Sequence, residues 1–221
     1  MTLLIKFPTR GRKDKFLETF ATYHAMCADI ERVRFAISID RDDQTMNDPA
    51  VIARLESQRH TSVVVGTSQS KIDAVNRDMD RFPDWDIVLL ASDDMIPQVA
   101  GYDAVIRDRM QQYFPDTDGV LWFNDGFLQN RLNTLCILGR AYYERFHYIY
   151  YPGYRSTWCD NEFTDVATAL GKQQYFDDVL IRHEHPDWGY GQQDHIHHQN
   201  LNDLRHDKKL YKKRRAVRFG L

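Results

Sequence analysis

Two adjacent carboxylates, Asp93 and Asp94, close an apolar run, residues 87–91, that reads as a strand buried on both faces. Chain leaving such a strand arrives at the carboxyl edge of a sheet, where open α/β sheets keep their ligands. Like charges side by side repel, so the pair costs least beside a cation, and oxygen ligands suit Mg2+ or Mn2+. The competing role is a turn in which aspartate caps or forms an Asx motif. Asp40 also ends an apolar run, and in doubly wound sheets an acid so placed often meets a ribose hydroxyl or base edge. Asp125, in Asn124-Asp125-Gly126, is a third strand-end carboxylate. Arg10 and Arg12 flank Gly11 in the turn 8–12, a composition suited to an anion. His183 and His185 have a spacing that can bind a metal, and in an extended segment alternate residues share a face. Asp160 and Glu162 stand at or near a helix start, where the helix dipole alone already favours carboxylates.

These residues need elements to hold them. Residues 3–7 read as a first strand, followed by the turn and a helix over 14–30 with Phe16, Leu17, Phe20, Tyr23 and Met26 near one face. Strand 34–40, a short helix over 49–58 and strand 62–65 continue the alternation. Ser70 and Asp73 are placed like a capping box for a helix that carries Lys71 in its first turn. A cation there is disfavoured by the dipole, which implies a negative partner close by. The strand ending at Asp93 and Asp94 comes next, then a helix over 102–113, strand 120–123, strand 135–138, a helix over 140–146, a helix to about 170 and a last strand at 179–181. Strands alternating with helices predict an α/β fold whose mainly parallel central sheet is flanked by helices. The aromatic cluster 148–154 reads as core packing or as stacking surface for a sugar ring.

At 221 residues, one domain with a full core is the expectation. Hydrophobic residues at 43% and charged residues at 28% exclude a disordered or fibrous chain. The net charge of −3 gives no global reason to expect nucleic acid, although residues 208–218 are strongly basic and could hold phosphates or meet an anionic surface. Cys27, Cys136 and Cys159 form no paired motif, and with no signal peptide the odd count points to a reducing, cytoplasmic setting. The longest apolar run is five residues, too short for a transmembrane span. With no cysteine near the histidines of 183–198, a structural zinc site is not expected.

Taken in order, the strand before Pro8-Thr9-Arg10-Gly11-Arg12, the strand before Asp40, the helix 71–76, the strand before Ser92-Asp93-Asp94, the segment Trp158-Cys159-Asp160-Asn161-Glu162 and the late His183 and His185 resemble a GT-A-fold, family 2-like glycosyltransferase. The resemblance runs from about residue 3 to 186, so residues 1–186 would form a single GT-A (Rossmann-like) domain and 187–221 a basic helical extension packed on it. It implies a nucleotide-diphosphate sugar donor, such as a UDP-sugar, lying across the strand ends. Pro8, Thr9, Arg10 and Arg12 would line the nucleotide cleft with Asp93, Asp40 would lie near the base, and Lys71 near the nucleotide or its phosphates. Asp94 would hold Mn2+ or Mg2+, with His183 or His185 as a further ligand. The family's Asp-x-Asp motif has Ser92 at its first position here, which favours Asp94 over Asp93 as ligand. In inverting members a carboxylate early in a helix takes the acceptor proton, which matches Asp160 first and Glu162 second, although Cys159 replaces the acid that often precedes the base.

Three other classes remain. A nucleotidyltransferase would show a glycine-rich phosphate turn, whereas this turn has one glycine, Gly11. A non-catalytic nucleotide- or carbohydrate-binding protein would use Asp160 and His185 structurally. A glycosyltransferase acting on nucleic-acid bases would use the basic stretch as its anchor, so its acceptor would be a nucleic acid rather than a glycan or small molecule.

Overall fold

The computed structural model describes residues 1–184 and the helix and tail from 195 to 221, with side chains there from 203 onward. Strand β1 (Leu3–Thr9), helix α1 (Lys13–Ala25), β2 (Val33–Asp40), α2 (Pro49–Glu56), β3 (Thr61–Gly66) and α3 (Lys71–Asn76) form three β-α units. Strands β4 (Ile87–Leu90) and β5 (Met95–Pro97) lead into α4 (Tyr102–Tyr113). Then follow β6 (Val120–Phe123), β7 (Ile137–Gly139), α5 (Arg140–Glu144), α6 (Cys159–Ala169), β8 (Gln173–Phe176), β9 (Ile181–His183) and α7 (His195–Ala216).

Seven strands make one sheet in the order β3-β2-β1-β4-β7-β6-β8. Neighbours pair in parallel except at β7, which runs antiparallel to both β4 and β6. The alternation of strand side chains separates two cores. Leu3, Ile5, Phe7, Phe35, Ile37 and Leu89 pack toward α1 and α4, while Leu4, Ala36, Val88, Leu138 and Phe163 pack on the other face. Both faces are covered, as the unbroken apolar strands require.

Lys6 breaks that pattern. It lies fully buried on the second face of β1, where its Nζ donates to Ser38 Oγ at 2.5 Å and to the Arg77 carbonyl at 2.8 Å. Burial pulls its pKa down to about 8, partly opposed by the negative charge of Asp78.

Helix α1 stops at Ala25, short of the expected Ile30. Asp103 of α4 accepts the backbone N–H groups of Ala28 and Asp29 at 2.7 and 3.1 Å, which draws that segment out of the helix. The last expected strand is displaced as well. Residues 181–183 leave the main sheet and pair antiparallel with β5, Met95 opposite His183 and Pro97 opposite Ile181. The main sheet's edge goes instead to β8, whose Gln173 and Gln174 give no apolar signal in the sequence.

The basic C-terminal stretch forms the end of α7, which packs on α6 through polar links. Arg214 Nε meets both carboxylate oxygens of Glu162 at 2.8 and 2.9 Å, and Tyr211 donates to Asp165 at 2.6 Å. Asp207, fully buried, accepts backbone N–H groups from Arg155, Ser156 and Thr157 at 3.1, 2.9 and 2.9 Å. Among the described residues no helix is long and apolar enough to cross a membrane.

Asp207→Ala would leave three N–H groups without their acceptor, one buried and two partly buried, each costing up to about 1–3 kcal/mol. We expect a loss of about 3 kcal/mol or more in urea unfolding, and a smaller loss for Asp207→Asn. Burial alone would raise the Asp207 pKa, but His206 and the three N–H groups hold it below the usual carboxylate range. A depressed folded-state pKa gives stability that is present above the unfolded value, about 3.9, and lost as pH falls through the folded one. The stability gap between wild type and Asp207→Asn should therefore narrow below about pH 4.

Candidate active site

Because β1, β2 and β4 run parallel, their ends open on one edge, and each delivers a polar segment there. At the β1 end, Pro8 and Thr9 are half-buried opposite Ser38 and Ile39 of β2. Gly11 follows with φ of +73°, a conformation that side chains disfavour, and its N–H donates to Asp43 at 2.7 Å. Arg10 forks onto Asp42 at 2.6 and 2.8 Å and reaches Asp40 at 2.9 Å. The other oxygen of Asp40 accepts from Arg77 at 3.0 Å. Two residues expected to contact nucleotide, Arg10 and Asp40, therefore contact each other. Arg10 is half-exposed, so a ribose or base edge can displace it from Asp40 while Arg77 keeps that carboxylate in place.

Arg12 turns the other way, to Asp93 at 3.3 Å, and links the first turn to the carboxylate pair. Thr19 of α1 holds the Asp93 carbonyl at 2.8 Å. Burial and the neighbouring Asp94 raise the Asp93 pKa, against the pull of Arg12 and Lys15.

Asp94 lies at the centre. Its Oδ1 accepts from Ser92 Oγ and stands 3.7 Å from His183 Nε2. That contact is a product of strand register: β5 pairs with β9, His183 N–H donates to the Asp125 carbonyl at 3.0 Å, and Glu184 N–H to the Asp94 carbonyl at 2.7 Å. Burial alone would raise the Asp94 pKa, but the nearby His183, the Ser92 hydroxyl and Lys71 together hold it well below the usual range. Asp94 is therefore ionised at neutral pH.

Asp160 completes the group from the first turn of α6. Its carboxylate accepts from Asn161 N–H at 2.9 Å, while burial raises its pKa against Asn161, Lys71 and His183. Lys71 and His183 each lower the pKa of both Asp94 and Asp160, so their charges act on both carboxylates, and His183 stands beside Asp94. The loop before α6 is shaped for this. Trp158 takes φ of +61°, Asp207 anchors 155–157, and the Arg155 carbonyl accepts Ile72 N–H at 3.2 Å, so one segment positions both Asp160 and the start of α3.

Glu162 points elsewhere. Two residues beyond Asp160, it faces α7, buried between Arg214 and the Tyr154 hydroxyl, which donates to it at 2.8 Å. Asp125 is also occupied: it accepts from Phe127 and Leu128 N–H and from Thr134 Oγ, and organises its own loop. His185 lies outside the described residues. Among the described residues no three His, Cys, Asp or Glu side chains converge as a ready metal cage. The pair that does meet, an ionised carboxylate and an imidazole, fits a divalent ion such as Mn2+ that accepts both oxygen and nitrogen.

No family model and no curated protein sequence matches the chain. Solved structures do match. A mannosyltransferase, PcManGT from Pyrobaculum calidifontis, in complex with GDP-Man and Mn2+, superposes with a TM-score of 0.68 over 85% of this chain at 15% identity. TarS 1-349 from S. aureus in complex with UDP-GlcNAc gives a TM-score of 0.64 over 82% of this chain at 13% identity. The fold is the GT-A fold. The chain spans 58% of the length of each of these two proteins. Arg77 and Asp207 are the site-supporting residues that sequence reasoning missed; a basic residue next to Asp78 and an acid within a basic helix both look solvated.

Removing Lys71 removes a cation that lowers both carboxyl pKa values. In Lys71→Ala, carboxyl-carbon NMR titrations should show Asp94 and Asp160 both moving upward, and unchanged titrations would break the proposed grouping.

Proposed function

We propose that this protein is a metal-dependent glycosyltransferase that moves a sugar from a nucleotide-diphosphate sugar to an acceptor hydroxyl, with inversion at the transferred carbon. The observation that carries the reading is the buried Asp94 beside His183 at the carboxyl edge of a GT-A sheet, with the charge of Lys71 acting on both Asp94 and Asp160. The nucleotide-sugar complexes of the two structural neighbours support it.

In this reading the donor's nucleotide lies along Pro8, Thr9 and the turn to Arg12, with its base or ribose at Asp40 in place of Arg10. Asp93 orients Arg12 toward the cleft. Lys71, brought to the edge by α3, offers positive charge to the departing diphosphate. Asp94 and His183 would hold Mn2+ or Mg2+, which supplies Lewis-acid neutralisation of the leaving group when bound. His185, two residues on, is a further candidate ligand.

Asp160 takes the proton of the acceptor hydroxyl as that oxygen attacks. Burial raises its proton affinity above that of an ordinary aspartate, while Lys71 and His183 oppose the rise and favour the ionised form before the reaction. Glu162 serves this step indirectly, by fixing α6 against α7 through Arg214.

Thermal unfolding against nucleotide diphosphates and nucleotide sugars, with and without Mn2+, tests the donor half, because a ligand bound by the native state alone raises the midpoint. A Mn2+-dependent shift that disappears in Asp94→Ala is expected; no shift with any nucleotide would sink the reading. For the acceptor half, Asp160→Asn should lower transfer by about 10²–10⁴-fold, the usual worth of a general base, with donor binding nearly intact. Equal loss of donor binding would remove Asp160 from that role.

A further inference from the structure

The proposed function leaves one built feature unused. Just before α6, Trp158 packs against Tyr211 of α7 with ring centroids 5.0 Å apart and the rings tilted by 41°. They line an open surface groove with Lys212, Arg215 and Ala216. Lys208 Nζ lies 5.4 Å from the centre of the Trp158 ring. Among the described residues Lys208 and Lys212 form no salt bridge, and Arg215 touches Asp165 only at 3.9 Å. From 208 to 218 the sequence contains no acid.

We propose that this groove is an acceptor subsite for an anionic glycan, one whose sugar units carry phosphate or carboxylate groups. A sugar ring has an apolar C–H face that suits an aromatic side chain, and its acidic substituent would meet Lys208, Lys212 and Arg215 at the rim. The inference rests on the transferase reading for one reason: Trp158 is two residues before Asp160 in the chain, at the start of the same helix. The acceptor would then be an oligosaccharide with one unit at Asp160 and another against Trp158.

The test is direct binding without donor, by calorimetry, of an oligogalacturonate, a phosphorylated maltooligosaccharide and its neutral parent. Phosphatidylglycerol vesicles and a short single-stranded DNA complete the panel. At least one anionic oligosaccharide is expected to bind about tenfold or more tightly than the neutral one. The double variant Lys212→Glu with Arg215→Glu, both exposed and distant from the core, should reduce that binding tenfold or more. Trp158→Ala should do the same, with folding checked by circular dichroism. Failure of every anionic oligosaccharide to bind overturns the proposal, as does binding indifferent to these variants. Variant-sensitive binding to vesicles or DNA in place of glycans also overturns it, and assigns the surface to a membrane or to nucleic acid. Glycan binding should persist in Asp94→Ala. A lost nucleotide shift with retained glycan binding would defeat the donor reading alone, and the reverse would defeat the groove alone.

Discussion

A single buried carboxylate, that of Asp207, determines whether the two halves of the site face each other. Its three backbone N–H partners belong to the loop that ends in Trp158, and that loop also touches the first turn of α3. An ionised acceptor makes each of these bonds stronger than a neutral one would, about 1.5–3 kcal/mol against roughly 1. Such a loop, carrying a left-handed tryptophan, would otherwise sample many conformations. The helix that supplies Asp207 is thus structural for the centre although none of its described side chains reaches it.

The opposite wall depends on backbone pairing. Asp94 stays charged in a buried setting because β9 lies across β5 in a register that brings the His183 imidazole beside it. Side chains alternate along a strand, so a slip of one residue would put Arg182 in that place and turn His183 to the other face. The same two-strand patch holds the Asp125 and Asp94 carbonyls, which fixes it to both the β4 and β6 ends of the large sheet.

The central strands were legible because burial on both faces leaves unbroken apolar runs, and the parallel order followed from their alternation with helices. The place of Asp94 at the sheet edge was legible for the same reason, because it lies three residues beyond such a run. The short pairing of β5 with β9 was not, since three residues containing Pro97 carry no periodic signal. Glu162 and Asp160 were ranked second and first from the sequence, but it could not show that a step of two residues on the helix turns them to nearly opposite sides, with Glu162 facing α7. Asp125 shows the converse. Its strand-end placement suggested a ligand, but its oxygens close the loop 125–134.

The chain order of these contacts has a consequence for synthesis. Residues 1–97 run from the Arg10 turn through Asp94, with contacts that are largely local or between successive β-α units. Asp94 meets His183 much later, and the loop at 155–157 waits for Asp207. A ribosome adding about 5–20 residues per second therefore releases this first segment several seconds before those contacts can form. During that interval Asp94 and Asp93 stand together without the imidazole, and Arg12, made in the same segment, is the cation at hand to hold their repulsion in check.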